Sequence, residues 1–473
     1  MRRMGVGVLA LALTAPAWSA ATAMNFTQAV DTALHQNPDL QSVQAMIAQA
    51  RAGVAQARGA HFPKITATIG ATRTNDALNA FGMKLGQRGA TFNDFGAGQF
   101  NPALPGVLGI APTNLDHPAP VNDFSTRLEA DLPLYTGGKL AGYAAQAHAM
   151  LLAAQSGDQA ARQQIIDHVL QAYDGVHTAR AYEQVAAQAL QAAQSQEHLV
   201  DKLYQQGVVV KSDLLSAQVH LEDVKLQQQQ AADMEAQALD ALHVILGLPL
   251  DQPIDVADPV VVGMPAGTLA TWVPQAEASN PQILALRHQV EAAAGRVEVA
   301  RADLYPQVGA MARLDTHDAN VGLGAHSYTV GAQLTWNLFD AGVTRNAIDM
   351  AAAAQTEQRD KLRAAEDKLG MQVRDAWRRA ADAQRQVGTR ALAVRQAEEA
   401  ARIVSRRYAD GVGTLLEMQG AQAMLDKARA DLVLARSQIN QQRAALRLAL
   451  GSLTPDAVTP VSADATATAA VTP

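Results

Sequence analysis

Four short segments of the chain alternate apolar and polar side chains with a period of two. In Lys64–Arg73, Ile65, Ala67, Ile69 and Ala71 share one face, and Thr66, Thr68, Gly70 and Thr72 the other. In Ser125–Tyr135, Leu128, Ala130, Leu132 and Leu134 oppose Arg127, Glu129 and Asp131. Further on, Val308, Ala310, Ala312 and Leu314 oppose Gln307 and Arg313. Tyr328, Val330, Ala332, Leu334, Trp336 and Leu338 oppose Thr329, Gln333, Thr335 and Asn337. Such alternation over about ten residues fits a membrane-crossing β-strand, apolar to lipid and polar to a lumen. A half-buried soluble sheet gives the same alternation. Phe62, Tyr135, Tyr305 and Phe339 stand at the strand–helix junctions, where an aromatic girdle at a membrane interface would place them.

The remaining pattern is helical. No proline interrupts Gly138–Gln206 or Gly342–Ala409, and each would run about 100 Å at 1.5 Å per residue. Ala421, Leu425, Ala428, Leu432, Ala435, Ile439, Gln442, Leu446 and Ala449 recur at alternating steps of four and three. Ala217, Leu221, Val224, Gln228, Ala231, Glu235, Ala238, Leu242 and Ile245 keep that register earlier in the chain. Val394, Ala397, Ala401, Val404 and Tyr408 do so on a long helix. This is a coiled-coil seam rich in small residues, so the helices can approach closely. The returning turns fall at Gln206–Ser212 and Asp410–Thr414. Gly207 and Gly411 fit the left-handed position that ends a helix. Ser212 and Thr414 fit the cap that starts the next one.

The pattern is written twice. Asn37-Pro38 recurs as Asn280-Pro281, and at the same offset of 243 Phe62-Pro63 matches Tyr305-Pro306. Beyond that the offset becomes 204: Leu134–Gly138 matches Leu338–Gly342, Tyr204 and Gly207 match Tyr408 and Gly411, and Leu246-Gly247 matches Leu450-Gly451. The first copy therefore holds 39 extra residues between its strands. Within roughly Asn75–Asp123, Gly, Asn and Pro are frequent, as in a long surface loop. Each copy reads helix, strand, strand, long helix, helix, a mixed α and β fold. The repeats span 24–247 and 275–451, joined by a linker at 248–274, with a flexible tail expected at 452–473. Four strands are too few for a membrane barrel, since the smallest have about eight. Several chains must share one.

Composition narrows the setting. Met1-Arg2-Arg3, an apolar run from Val6 to Leu13 and the small-residue exit Ala21-Thr22-Ala23 form a secretory signal peptide over residues 1–23. The chain has no cysteine, which removes disulfides, thiolate metal sites, cysteine nucleophiles and a lipid-anchor acceptor. Without Arg2 and Arg3, 36 basic residues face 45 acidic ones. That balance does not suggest a nucleic-acid partner. The histidines are scattered: His168 and His177 lie nine apart on a helix and His317-Asp318 in an expected short loop. None has the spacing of a zinc site. No phosphate-binding loop or nucleophile elbow occurs. No catalytic constellation, metal site or cofactor site is expected.

The two copies, the Asn-Pro after a short first helix, the Tyr-x-x-Gly at each hairpin tip, Phe81–Gln87 and Leu134–Gly138 together resemble the TolC-like outer-membrane efflux family over about Met24 to Leu453. That resemblance implies a homotrimer whose strands form a twelve-stranded barrel in the outer membrane, continued by an α-helical barrel into the periplasm. It implies a passive exit duct of a tripartite efflux or type I secretion system, partnered by a periplasmic adaptor and an inner-membrane pump. Adaptor docking would fall at Tyr204, Gly207, Tyr408 and Gly411. Asp213 and Glu417 would ring the periplasmic entrance. Relatives carry a further acid where this chain has Gly420 and a base where it has Gly413, so the charged latch of the entrance differs here. Thr414–Glu417 also reads as a capping box, and Asp213 as an acid favouring a helix N-terminus. The competing class is a periplasmic coiled-coil adaptor or scaffold, which would share the helices but lack four lipid-facing strands.

Overall fold

A computed structural model describes residues 23–461; the signal-peptide assignment lies outside these apart from Ala23. In chain order the elements are β1 (Ala23–Met24), α1 (Phe26–Gln36), α2 (Pro38–Gly59), β2 (Lys64–Thr74), α3 (Ala77–Gly86), α4 (Thr113–Asp116) and β3 (Val121–Tyr135). Then come α5 (Lys139–Gln205), α6 (Lys211–Leu246), β4 (Asp255–Val256), β5 (Val260–Val262), α7 (Leu269–Ser279) and α8 (Pro281–Ala302). The chain ends with β6 (Gln307–Asp318), β7 (Ala325–Thr335), α9 (Val343–Ala409), α10 (Leu415–Ala449) and β8 (Val458–Pro460). The long helices α5 and α9 each have 67 residues. The chain divides into two compact units. One takes the described residues of Met1–Met46, Gln155–Leu284 and Arg363–Pro473, the other Ile47–Ala154 and Ala285–Leu362.

The first unit holds the main core. Phe26, Val30, Ile165, Val169, Leu170, Tyr173, Leu242 and Leu246 pack with Val260, Val262, Leu453 and Val458. Two small sheets close over it: β1 pairs parallel with β4, and β5 pairs antiparallel with β8. The segment expected as a flexible tail from 452 is therefore corrected. Leu453 is fully buried and Val458–Pro460 pairs with the linker strand β5, because both apolar side chains enter the core. Residues 462–473 lie outside the described part.

The repeated Asn-Pro and Leu-Gly pairs meet in this unit. Asn37 Nδ2 donates to the Ile245 carbonyl at 2.9 Å while its Oδ1 accepts the Asp39 N–H at 2.9 Å. Asn280 repeats both bonds, to the Ala449 carbonyl at 3.0 Å and from the Gln282 N–H at 2.9 Å. One side chain thus caps α2 or α8 and satisfies a last-turn carbonyl of α6 or α10, groups that otherwise go unpaired at helix ends. Gly247 (φ +71°) and Gly451 (φ +67°) end those returning helices in the left-handed region. A Cβ at Gly247 would stand 2.7 Å from the Gln36 carbonyl oxygen, so glycine is needed for the close approach as well as for φ.

The second unit contains a four-stranded antiparallel sheet in the order β2-β3-β6-β7. Its register aligns the alternation across all four strands. Ile65, Ala130, Ala312 and Val330 form one row and Ala67, Leu128, Leu314 and Tyr328 the next. Directly opposed residues point to the same side, so these rows form an apolar face, which turns polar beyond them at Thr126, Thr316 and His326. It is also open: Ile65, Ile69, Tyr328 and Val330 are at least two-thirds exposed. A bulge between Pro133 and Tyr135 sets Tyr135, rather than Leu134, opposite Val308. Pro133 has no N–H to donate, and a central strand accommodates it beside such a break. Phe62, Tyr135, Tyr305 and Phe339 are all exposed at the strand–helix junctions.

Two local expectations change. His317 and Asp318 close β6 instead of lying in a loop. The turn follows them because the Asp318 carboxylate accepts the Asn320 and Gly324 N–H groups, both at 3.2 Å. His317 Nδ1 lies 2.9 Å from the Asp123 carboxylate. The first-copy insertion is folded rather than a plain loop. It carries α3 and α4 and is pinned where Gln87 Nε2 donates to the Asn122 carbonyl at 2.7 Å and to Asp123 at 3.0 Å.

Candidate functional site

The hairpin tips that join α5 to α6 and α9 to α10 are built alike. The Gly207 N–H donates to the Tyr204 carbonyl at 2.9 Å and the Val208 N–H to the Leu203 carbonyl at 2.9 Å. Gly411 and Val412 repeat this onto Tyr408 and Arg407 at 3.0 and 2.9 Å. This double bond pattern ends a helix around a left-handed residue, and φ is +76° at Gly207 and +75° at Gly411. A Cβ at either glycine would meet nothing within 4 Å. Both turns therefore present bare backbone to the outside. Val208, Val210, Val412 and Leu416 stand beside them with more than half their surface exposed. Sequence reasoning missed these four. The valines of Val208–Val210 are its only visible trace, an apolar run in a turn that ordinarily is polar.

The two tips share one cluster, in which Val200 and Ala217 from the first hairpin pack with Tyr408, Leu415 and Met418 from the second. This separates the two tyrosines. Tyr204 is 38% exposed and Tyr408 only 3%. Tyr408 is therefore corrected from a docking side chain to a packing one; its backbone carbonyl still shapes the turn. Among the described residues its buried hydroxyl has no hydrogen-bond partner. Burial pushes its phenol above the ordinary range, and the negative charge of Asp213 pushes it the same way.

The two expected entrance acids differ in what holds them. At α10 the capping box is complete: Thr414 N–H donates to Glu417 Oε2 at 3.0 Å, and Glu417 N–H to Thr414 Oγ1 at 3.2 Å. At α6 the cap position is Val210, which has no side-chain acceptor, so the expectation that Ser212 caps this helix is corrected. The offset of 204 explains it, since Val210 is the counterpart of Thr414 and Asp213 that of Glu417. Among the described residues the Asp213 carboxylate accepts no hydrogen bond, so its charge is unshared, whereas part of the Glu417 carboxylate braces its own helix. A Cβ at Gly413 would lie 3.2 Å from the Tyr408 N, so the position expected to be basic in relatives is tight here.

Residues 29–248 and 272–452 match the outer membrane efflux protein family, one stretch for each copy of the repeat. The chain belongs to that family. It is accordingly an outer-membrane channel protein and not an enzyme, and the adaptor-like alternative falls away. CyaE of Bordetella pertussis is 28% identical over 444 residues, 90% of this chain and 84% of CyaE. Alkaline protease secretion protein AprF of Pseudomonas aeruginosa is 26% identical over 309 residues, 62% of this chain and 62% of AprF. The chain thus spans a little under two-thirds of AprF. Among solved structures, the Campylobacter jejuni CmeC outer membrane channel superposes with a TM-score of 0.74 at 18% identity, over 96% of this chain and 95% of CmeC. The Vibrio cholerae outer membrane protein VceC gives 0.73 at 20% identity, over 90% of this chain and 96% of VceC. These likenesses establish the fold of an outer-membrane efflux channel. Among the described residues no helix is long and apolar enough to cross a membrane.

Proposed function

We propose that this outer membrane efflux protein works as a homotrimer whose three sheets close one twelve-stranded barrel, forming the exit duct of a tripartite efflux or type I secretion system. The observation that carries this reading is the open sheet. Strands β2 and β7 each have one unpaired edge, and one face of the sheet is apolar over the rows from Val308 and Leu334 to Leu314 and Tyr328. Unpaired N–H and C=O groups are not tolerated against lipid, and four strands are below the minimum for a barrel of about eight. Edge-to-edge pairing with further copies satisfies both edges and leaves the apolar face toward lipid. The exposed ring of Phe62, Tyr135, Tyr305 and Phe339 then lies at the periplasmic interface.

The hairpin tips are the docking surface for a periplasmic adaptor, which links the duct to an inner-membrane pump. Bare backbone at Gly207 and Gly411, with exposed Val208, Val210, Val412 and Leu416 around them, supports this role. Asp213 and Glu417 form the acidic ring of the entrance, six carboxylates in a trimer. Like charges gathered in a narrow pore attract cations. Gly420 and Gly413 leave that ring without the further charges of the family's latch. Native mass spectrometry of detergent-extracted protein tests the core of the proposal: a trimer is expected, and a preparation containing only monomer refutes it.

A further inference from the structure

The register that aligns the apolar face also orders the other face. Lys64 stands opposite Asp131, Glu129 opposite Arg313, and Arg127 opposite Asp315. All three cross-strand pairs join opposite signs. Asp315 is the centre of the arrangement. Arg127 Nε lies 2.7 Å from its Oδ1 and Arg313 Nε 2.7 Å from its Oδ2. Between the two guanidinium groups it is only 6% exposed, although the sheet face around it is open. Beyond Lys64, the edge strands bring no charge to this face: Thr66, Thr68 and Thr72 on β2, and Ser327, Thr329 and Gln333 on β7, are neutral.

We propose that this face is a charge-compensated lumen wall organised by Asp315, which lets the barrel pass solutes of either sign and leaves charge discrimination to the helical tips. The proposal rests on the reading that three copies close a barrel with this face inward. Three positive and three negative side chains cancel in these pairs within each chain; the fourth acid of this face, Asp123, is almost fully buried beside Gln87 and His317, and the hydroxyl-lined seams between copies add nothing. A carboxylate that only braced the sheet would need one arginine. With two, Asp315 also pairs with Arg313, which stands opposite Glu129.

The test is reversal potential across a planar bilayer under a KCl gradient near 0.1 M, where a charge acts over about 10 Å. Asp315→Asn leaves one uncompensated positive charge per chain and is expected to move the K+/Cl− permeability ratio toward chloride by about two-fold or more. Arg127→Gln is expected to move it toward potassium by a similar factor. The double variant restores neutrality and is expected to return to the wild-type ratio. Lys64→Gln, Asp131→Asn and their combination repeat the logic at an exposed pair and do not depend on the buried Asp315 site folding normally. Asp213→Asn with Glu417→Gln is expected to abolish the wild-type cation preference. Single variants that shift the ratio in the same direction, or a double variant that fails to return, overturn the proposal and leave the ion pairs as braces of the sheet. A wild-type trimer that conducts no ions at all refutes the channel reading itself, a distinct outcome visible before any variant is measured.

Discussion

Gly247→Ala tests the junction on which both copies turn. The left-handed φ of +71° costs an L-residue about 1–2 kcal/mol. The contact adds more. The new Cβ would fall 2.7 Å from the Gln36 oxygen, 2.9 Å from the Gln36 carbonyl carbon and 3.3 Å from the Asn37 N. All three are backbone atoms, which cannot swing aside as a side-chain tip can. The easiest relief draws the α1–α2 corner away and stretches the 2.9 Å bond from Asn37 to the Ile245 carbonyl. Asn37 is 4% exposed, so leaving its amide unpaired costs about 1–3 kcal/mol. The sum is about 2–5 kcal/mol of local stability. Gly207→Ala is the internal control. Its φ is +76° but its Cβ would meet nothing within 4 Å, so only the backbone penalty of about 1–2 kcal/mol applies. Irreversible melting makes Tm a poor measure for a membrane oligomer. Native-state hydrogen exchange reads local opening instead. In Gly247→Ala the amides around Ala33–Gln41 are expected to lose protection by about five-fold or more beyond what the tip amides lose in Gly207→Ala, since the extra 1–3 kcal/mol is roughly 5- to 150-fold at 1.4 kcal/mol per factor of ten. Equal losses at the two sites would refute the close-approach argument.

Arginine at Gly207 or Gly411 is expected to abolish export while native mass spectrometry still shows the trimer; normal export at equal protein level removes the tips as the docking surface. Asp213→Asn is expected to reduce cation selectivity in bilayer recordings with unchanged protection of α6, whereas Thr414→Ala is expected to loosen the start of α10 by about 1 kcal/mol in hydrogen exchange with selectivity kept. Glu417→Gln keeps the reach of the cap and removes the charge, so it is expected to lower selectivity and weaken block by multivalent cations with only a small loss of protection. Buried Asp174 is raised above the ordinary carboxylate range by burial, partly offset by hydrogen bonds from Ser437 and Asn440. The folded state therefore favours its protonated form: this contribution is present below the ordinary carboxylate pKa and fades as pH rises through the elevated one. Asp174→Asn is expected to flatten that slope in pH-dependent denaturation; an unchanged slope shows that other groups set it.

The periodicities of strand and helix, the doubled plan and the glycines at the tips were all readable in the chain. Each reflects a property of a few consecutive residues. Side chains alternate on a strand and recur about every 3.6 residues on a helix, and a left-handed residue at a helix end calls for glycine wherever it occurs. The capping box of Thr414 and Glu417 was readable for the same reason, because both residues lie within one turn. What the sequence left open involved partners far away along the chain. Asn37 meets Ile245 across 208 residues and Asn280 meets Ala449 across 169, so the Asn-Pro pairs were recognisable as a motif without a visible reason. Tyr204 and Tyr408 are equivalent in the repeat, yet only packing of one hairpin against the other buries the second. The segment from 452 looked like a flexible tail by composition, and only the core could show that Leu453 and Val458 fill it. Period-two alternation identified a charged face, but the cross-strand register alone placed opposite signs opposite each other and set Asp315 between two arginines. Local geometry is written in neighbouring residues; burial and pairing depend on which segments meet, and only the tertiary structure decides that.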